Sequence, residues 1–168
     1  MREIVLSLGS NIEPEKHIRF AINELTDLYG ELFISPIYQS KSIGFDGPDF
    51  LNLVLILKSD CLLDEIIKFN QAVECKAGRI RGEKTYASRN LDIDVLLFGS
   101  ENLRSHGKNI PRDEIEKNAY VLKPLSDLIP EGIHPVMGLT YATLWSEFTD
   151  KSQTLQQIKF DKDKSNFK

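Results

Sequence analysis

The stretch Arg89-Asn90-Leu91-Asp92-Ile93-Asp94-Val95-Leu96-Leu97-Phe98-Gly99 decides how this chain is read. Side chains alternate between the two faces of a strand. The pattern therefore predicts a strand with Leu91, Ile93, Val95 and Leu97 on one face and Asp92 and Asp94 on the other. Two carboxylates held side by side repel, so a cation must lie between them or one must carry a proton. Oxygen ligands on a stiff strand suit Mg²⁺, which takes one or two carboxylates and completes its octahedron with water and phosphate. The competing reading is an edge strand whose acids are simply solvated.

The residues before this strand add a basic cluster. Lys76, Arg79, Arg81, Lys84 and Arg89 stand against one acid, Glu83. The whole chain carries a formal charge of −4, so a local cluster of this size argues against a broad nucleic-acid surface. It fits one polyphosphate, because arginine forks grip phosphate oxygens in pairs and stabilise charge on a phosphoryl group in transfer. Gly78, Gly82 and Glu83-Lys84-Thr85 predict a mobile loop able to close over a substrate; taken alone, it reads equally as a solvated loop. Gly82-Glu83-Lys84-Thr85 imitates the end of a P-loop. However, Glu83 separates the glycine from the lysine and position 77 is alanine, so that motif is rejected.

Length and composition bound the rest. The chain has 168 residues, 41% hydrophobic and 27% charged, which predicts one globular domain over residues 1–168 with a polar stretch from about 150 to 168 holding one late strand. Cys61 and Cys75 read as free buried thiols of a reducing compartment. His17, His106 and His134 are too widely spaced for a zinc site. The N-terminus enters a strand directly and no stretch is long and apolar enough to span a membrane, so the expected location is the cytoplasm.

Along the chain, Ile4 to Leu8 predicts a strand and a helix follows from Pro14, with Ile18, Ala21, Ile22, Leu25, Leu28 and Tyr29 at helical spacing and Gly30 as its stop. Leu32 to Ser40 reads as an edge strand interrupted at Pro36, and residues 41–49 as a loop. Phe50 to Leu57 is a strongly apolar strand in which Asn52 is the one polar side chain and must find a partner. Asp60 is placed to cap a second helix with Leu62, Leu63, Ile66, Ile67, Asn70 and Val73 turned inward. After the strand with the two aspartates, one helix is expected from Pro111 to Pro124 and another from Leu139 to Phe148. The order strand–helix–strand–strand–helix–strand is ferredoxin-like. The fold class expected is α+β, a mostly antiparallel sheet with helices packed on it as a three-layer α/β/α sandwich.

Five blocks in order resemble the 6-hydroxymethyl-7,8-dihydropterin pyrophosphokinase family. They are Leu8-Gly9-Ser10-Asn11, the segment from Gly44 to Asn52, Glu74 with Gly78-Arg79-Ile80-Arg81, the stretch 89–99, and Ile110-Pro111 with Ala119-Tyr120-Val121-Leu122-Lys123-Pro124-Leu125. The resemblance implies transfer of pyrophosphate from ATP to the hydroxymethyl group of a reduced pterin, leaving AMP. It implies that Asp92 and Asp94 bind two Mg²⁺ and that Gln71, Glu74, Arg79, Arg81, Tyr86 and Arg89 lie on the ATP side, with Arg79 and Arg89 stabilising the transition state. Phe50 and Tyr120 would sandwich the pterin, Asn52 would read its polar edge, and Ser40 and Ile43 would line its pocket. By themselves Phe50 and Tyr120 read as ordinary core aromatics. Three positions depart from the family pattern: Arg112 where histidine is usual, Asn118 where an arginine often meets phosphate, and Lys41 where proline is common. Arg112 is expected to supply a charged contact to ATP instead. The implied partners are ATP and 6-hydroxymethyl-7,8-dihydropterin, with no nucleic acid and no membrane, acting in a monomer. The rival readings are a ferredoxin-like RNA-binding module, which would need a paired aromatic strand motif, and a relative that binds Mg-ATP without transfer.

Overall fold

The computed structural model describes residues 1–78 and 90–159. In chain order its elements are β1 (Arg2–Ser10), α1 (Pro14–Tyr29), β2 (Phe33–Ile34), β3 (Ile37–Ser40), β4 (Phe50–Ser59), α2 (Leu63–Lys76), β5 (Asp92–Phe98), α3 (Glu114–Lys117), α4 (Ala119–Leu128), α5 (Tyr141–Ser146) and β6 (Leu155–Ile158). The strands form one antiparallel sheet in the order β5-β1-β4-β3-β6, with β2 paired to β4. β4 is central because its run of apolar residues can be buried on both faces. β1 pairs with it along its whole length, from Arg2 opposite Ser59 to Ser10 opposite Leu51.

The sheet separates two cores. On one face Leu6, Leu8, Leu53, Leu55 and Ile93 pack under α1 and α2, which contribute Ile18, Ala21, Leu25, Ile66 and Val73. On the other face Val5, Val54, Ile56, Leu96 and Leu97 meet Ile115, Val121, Leu122, Leu125, Tyr141 and Leu144 from α3, α4 and α5. The three layers and the antiparallel strand order agree with the ferredoxin-like expectation.

Several details differ from the sequence reading. The register of β1 against β5 slips between Val5 and Leu6, so Leu6 faces Val95 but Val5 faces Leu97. The extra residue puts Leu96 and Leu97 in the core on the side of Asp92 and Asp94, not with Ile93. A bulge of this kind belongs to the pairing of two strands and leaves no mark on one of them. The strand interrupted at Pro36 is two strands, and β3 is not an edge because β6 pairs along it. Asp60 does not cap α2: its carboxylate meets the N-terminal ammonium of Met1 at 3.2 Å. The helix instead starts at Leu63, where Glu65 accepts a hydrogen bond from Leu62 N at 2.7 Å. Leu62 and Leu28 are exposed rather than inward.

The helix expected from Pro111 to Pro124 is two helices. Asn118 takes extended backbone angles between α3 and α4, and its carbonyl accepts from Val121 N and Leu122 N, opening the second. That helix runs past Pro124 to Leu128; burial of Leu122 and Leu125 outweighs the one backbone donor that proline removes. α5 is shorter than expected and is capped by Thr140, whose hydroxyl accepts from Thr143 N. Both cysteines are free, but Cys75 is exposed and Cys61 only partly covered, so neither is the buried thiol expected. Among the described residues no helix is long and apolar enough to cross a membrane.

Candidate active site

A cleft of about 900 Å³ opens over the sheet face that carries the aspartates. Its floor follows from the register. Asp92 lies opposite Gly9, Gly9 opposite Asn52, and Asn52 opposite Tyr38, which makes one row across four strands. Asp94 lies opposite Ser7 in the next row on that face. Adjacent strands are about 4.8 Å apart, so Asp92 and Asn52 stand about 10 Å apart with a glycine between them. A Cβ at Gly9 would come within 3.5 Å of Asn52 Oδ1 and 3.9 Å of Phe50 Cδ1. The missing side chain keeps the floor between the carboxylate and the amide flat.

Every candidate residue within the described chain lines this cleft: Ser40, Ile43, Phe50, Asn52, Gln71, Glu74, Asp92, Asp94, Arg112 and Tyr120. Arg79, Arg81, Tyr86 and Arg89, and the loop expected to close over substrate, lie outside the described residues. The two ends of that segment are stitched together. Asn90 Nδ2 donates to Ala77 O at 2.7 Å, and Gly78, at φ 96°, leaves room for that amide where a Cβ would meet it at 2.7 Å.

At one end of the cleft Asn52 is buried and donates to Tyr38 O at 3.2 Å and Ser40 Oγ at 2.8 Å. A backbone carbonyl only accepts, so the amide nitrogen must face Tyr38, and Oδ1 is left beside Gly9 as an acceptor at the cleft floor. The partner that Asn52 needs is therefore the neighbouring strand. Phe50 lines the same end and is held edge-to-face by Phe45, with ring centroids 6.3 Å apart. Tyr120 reaches the cleft from the first turn of α4, where Asn118 Nδ2 donates to its hydroxyl at 2.9 Å. Asn118 thus orients an aromatic where the family pattern has a cation. Lys41 lies on the exposed rim.

Around the aspartates the charges are crowded. Glu74 is buried on α2 and its Oε1 accepts from Ile93 N at 2.7 Å, the peptide between the two aspartates. It fixes β5 as well as lining the cleft. Burial pushes the Asp94 carboxyl up to about 7, and the charges of Asp92, Glu114 and Glu74 push the same way while Arg112 opposes them. Arg112 donates through Nε and Nη2 to Glu114 Oε1 at 3.2 and 3.1 Å, and its Nη2 lies 3.4 Å from Asp94 Oδ1. Burial works against the guanidinium charge, but Asp94 and Glu114 outweigh it and raise its pKa. Its backbone N–H donates to Leu96 O at 2.9 Å, which pins this segment to β5.

Two clusters hold that segment. Asn109 Nδ2 donates to Asp113 Oδ1 at 2.8 Å and Asn109 Oδ1 accepts from Asp113 N at 3.0 Å. Hydrogen bonds from Lys117 and Asn109 hold the Asp113 carboxyl down at about 2. Behind α3, Arg104 donates to Pro111 O at 2.9 Å and to Glu116 Oε1 at 2.7 Å. His134 is fully buried; its Nδ1 accepts from Val136 N and Met137 N, so its proton sits on Nε2, 2.8 Å from Glu116. Sequence reasoning missed Phe45, Asn109, Asp113 and Glu114 because they stand on loops or short turns that only the fold brings to the aspartates.

The donor set fits magnesium. Among the described residues no three acidic, histidine or cysteine side chains converge on one point. From the shared face of β5, Asp92 and Asp94 would supply two carboxylates, with water and phosphate for the remainder, which is how Mg²⁺ is usually held at phosphoryl-transfer sites. Burial first, and then the charges of Asp92, Glu114 and Glu74, raise Asp94, and a divalent cation beside it would offset the cost of its ionised form.

Comparison with known proteins places this arrangement among relatives. Residues 5–130 match the family described as 7,8-dihydro-6-hydroxymethylpterin-pyrophosphokinase. The chain is 34% identical over 138 residues to a 2-amino-4-hydroxy-6-hydroxymethyldihydropteridine pyrophosphokinase of Aquifex aeolicus, covering 81% of this chain and 86% of that one. It is 33% identical over 135 residues to a protein of the same name from Pseudomonas aeruginosa, covering 78% and 83%. Among solved structures, wild-type Plasmodium falciparum HPPK-DHPS with SDX-DHP superposes with a TM-score of 0.64 at 16% identity, over 88% of this chain and 44% of that one. That likeness bears on the fold alone, and the chain spans under half of the Plasmodium protein.

Proposed function

Because the chain belongs to the 7,8-dihydro-6-hydroxymethylpterin-pyrophosphokinase family and so transfers pyrophosphate to hydroxymethyldihydropterin in folate biosynthesis, we propose how its own residues carry out that transfer. ATP is the donor and AMP the leaving product. The pterin ring lies at the Asn52 end, stacked by Phe50 and Tyr120, with Asn52 Oδ1 and Ser40 reading its polar edge and Ile43 covering it. A flat heteroaromatic ring needs two aromatic faces and a few placed polar groups, and Phe50, Tyr120, Asn52 and Ser40, which all line the cleft, support this reading. The triphosphate crosses Gly9 toward Asp92 and Asp94. Gln71 and Glu74 face it from α2, and Arg112 from the segment before α3.

The hydroxymethyl oxygen attacks the β-phosphorus in line. The oxygen–phosphorus bond forms as the bridge between the α- and β-phosphates breaks, AMP takes the bonding electrons, and the hydroxyl proton is released to solvent. Asp92 and Asp94 would hold two Mg²⁺ shared with ATP, and magnesium when bound supplies charge at the phosphate oxygens. The chain's own contribution is positional. Glu74 and the Ile93 peptide fix both carboxylates, Gly9 lets the phosphates lie close to the sheet, and the aromatic pair aims the hydroxyl. Arg79, Arg81 and Arg89, with Tyr86, are proposed from the sequence alone as the remaining triphosphate contacts, Arg79 and Arg89 stabilising the transition state. The free thiols Cys61 and Cys75 fit a reducing, cytoplasmic setting.

The observation that carries this reading is the row Asp92–Gly9–Asn52, which sets a phosphate-side acid and a ring-side amide one ligand's width apart on one floor. Incubation with Mg-ATP and the pterin alcohol should give AMP and pterin diphosphate in equal amounts. Formation of ADP, or ATP left intact in the presence of both ligands, would refute it.

A further inference from the structure

Arg112 has a set of partners that the transfer reaction alone does not explain. Lys108 and Lys117 also line the cleft, and each has an acid of its own at the rim: Asp64 at 2.9 Å and Asp113 at 2.5 Å. Arg112 instead meets the aspartate pair: its Nη2 lies 3.4 Å from Asp94 Oδ1, and the same Nη2, with Nε, donates to Glu114 Oε1 at 3.1 and 3.2 Å. A guanidinium keeps its charge at every pH the protein meets. A divalent ion approaching Asp94 therefore meets a fixed positive charge already leaning on the same carboxylate.

We propose that Arg112 is an internal counter-ion of Asp94 that the nucleotide's phosphates must draw away before the magnesium site is complete, so that metal and nucleotide bind cooperatively. This rests on the site reading above and adds an order of events to it. A triphosphate offers the arginine fork a paired oxygen partner of higher charge than one carboxylate. The backbone of Arg112 is pinned to Leu96 O, so the fork can swing without moving β5. Glu114 gives it a second resting place and prevents its full collapse onto Asp94. Linkage then works in both directions: whatever factor the nucleotide adds to metal affinity, the metal adds to nucleotide affinity. Histidine at this position could not act as a permanent counter-ion, because it is largely neutral near pH 7.

The test uses Mn²⁺ as a spectroscopic probe on the full chain, with and without an α,β-methylene ATP analogue. The wild type is compared with Arg112→Gln and Arg112→Lys. Arg112→Gln should tighten nucleotide-free Mn²⁺ binding about tenfold, the worth of one partly buried ion pair, and should shrink the gain from added nucleotide by a similar factor. Arg112→Lys, which keeps the charge without the fork, should fall between. Equal nucleotide-free affinities in wild type and Arg112→Gln, with tight Mn²⁺ binding when the analogue is present, would overturn the counter-ion and leave the site reading standing. No Mn²⁺ binding even with the analogue would overturn both.

Discussion

Strands β1, β4 and β5 present two faces made from alternating residues of the same segments, and the faces have different fates. Under α1 and α2 the face is apolar from end to end, from Leu57 to Leu51 and from Ile4 to Leu8. The opposite face is apolar only in its half beneath α4 and α5, where Val5, Val54, Ile56 and Leu97 lie. Its other half carries Ser7, Gly9, Asn52, Asp92 and Asp94 and is open. The bulge at Leu96 marks the boundary, because it turns Leu97 into the covered half. A protein selected for stability alone would have no reason to put like charges beside a buried glutamate. The open half breaks the packing rule that the rest of the sheet keeps, and such local violations are where function is expected.

That contrast can be broken by mutation. Asp92→Ala should lower kcat/KM about a thousandfold or more, as for loss of a group that organises transition-state charge. The melting temperature of the metal-free protein should hold or rise, since a repulsion is removed. Unfolding of that variant would make the open half structural and erase the distinction. Leu53→Ala, on the covered face, should do the reverse: a loss of about 2–5 kcal/mol in stability by denaturant titration, with KM values of the folded fraction unchanged. Phe50→Ala should raise the pterin KM roughly tenfold, the worth of one stacked ring, with the ATP KM unaltered by steady-state kinetics.

The mildest effect is on pH dependence. The Asp94 carboxyl sits at about 7 in the folded chain, against an ordinary value of 3.8. The folded state therefore binds a proton that the unfolded chain releases between those values. The stability this confers is complete below about pH 4 and lost as pH climbs through about 7. The melting temperature of the metal-free protein should thus fall between pH 5 and about 7.5, and Asp94→Asn should flatten that slope. A slope identical in both proteins would mean that neither burial nor the neighbouring charges raise Asp94 in the folded chain.

Much of this was legible in the chain. Alternation set Asp92 and Asp94 apart from Ile93 and Val95, helical spacing placed α1 and α2, and the apolar run from Phe50 to Leu57 marked β4 as a strand. The misses share a cause. Leu97 changed faces because register belongs to two strands at once. Asn118 broke a helix because its amide serves Tyr120 and its carbonyl opens the next helix, a tertiary arrangement with no local pattern. Glu114 and Asn109 reached the site by folding of the segment before α4, and although a late strand was expected, its partner β3 was read as an edge because pairing belongs to two strands at once. The Arg112 substitution was visible as a departure, but its contact with Asp94 was not.

The central claim is that the twin aspartates seat magnesium on the phosphates while the aromatic end holds the pterin. It is met most directly by a crystal structure with α,β-methylene ATP, Mg²⁺ and the pterin alcohol. The account predicts magnesium within about 2.1 Å of carboxylate oxygens of both Asp92 and Asp94 and of phosphate oxygens, with the pterin between Phe50 and Tyr120. Phosphates bound elsewhere, with those carboxylates facing only water, would contradict it.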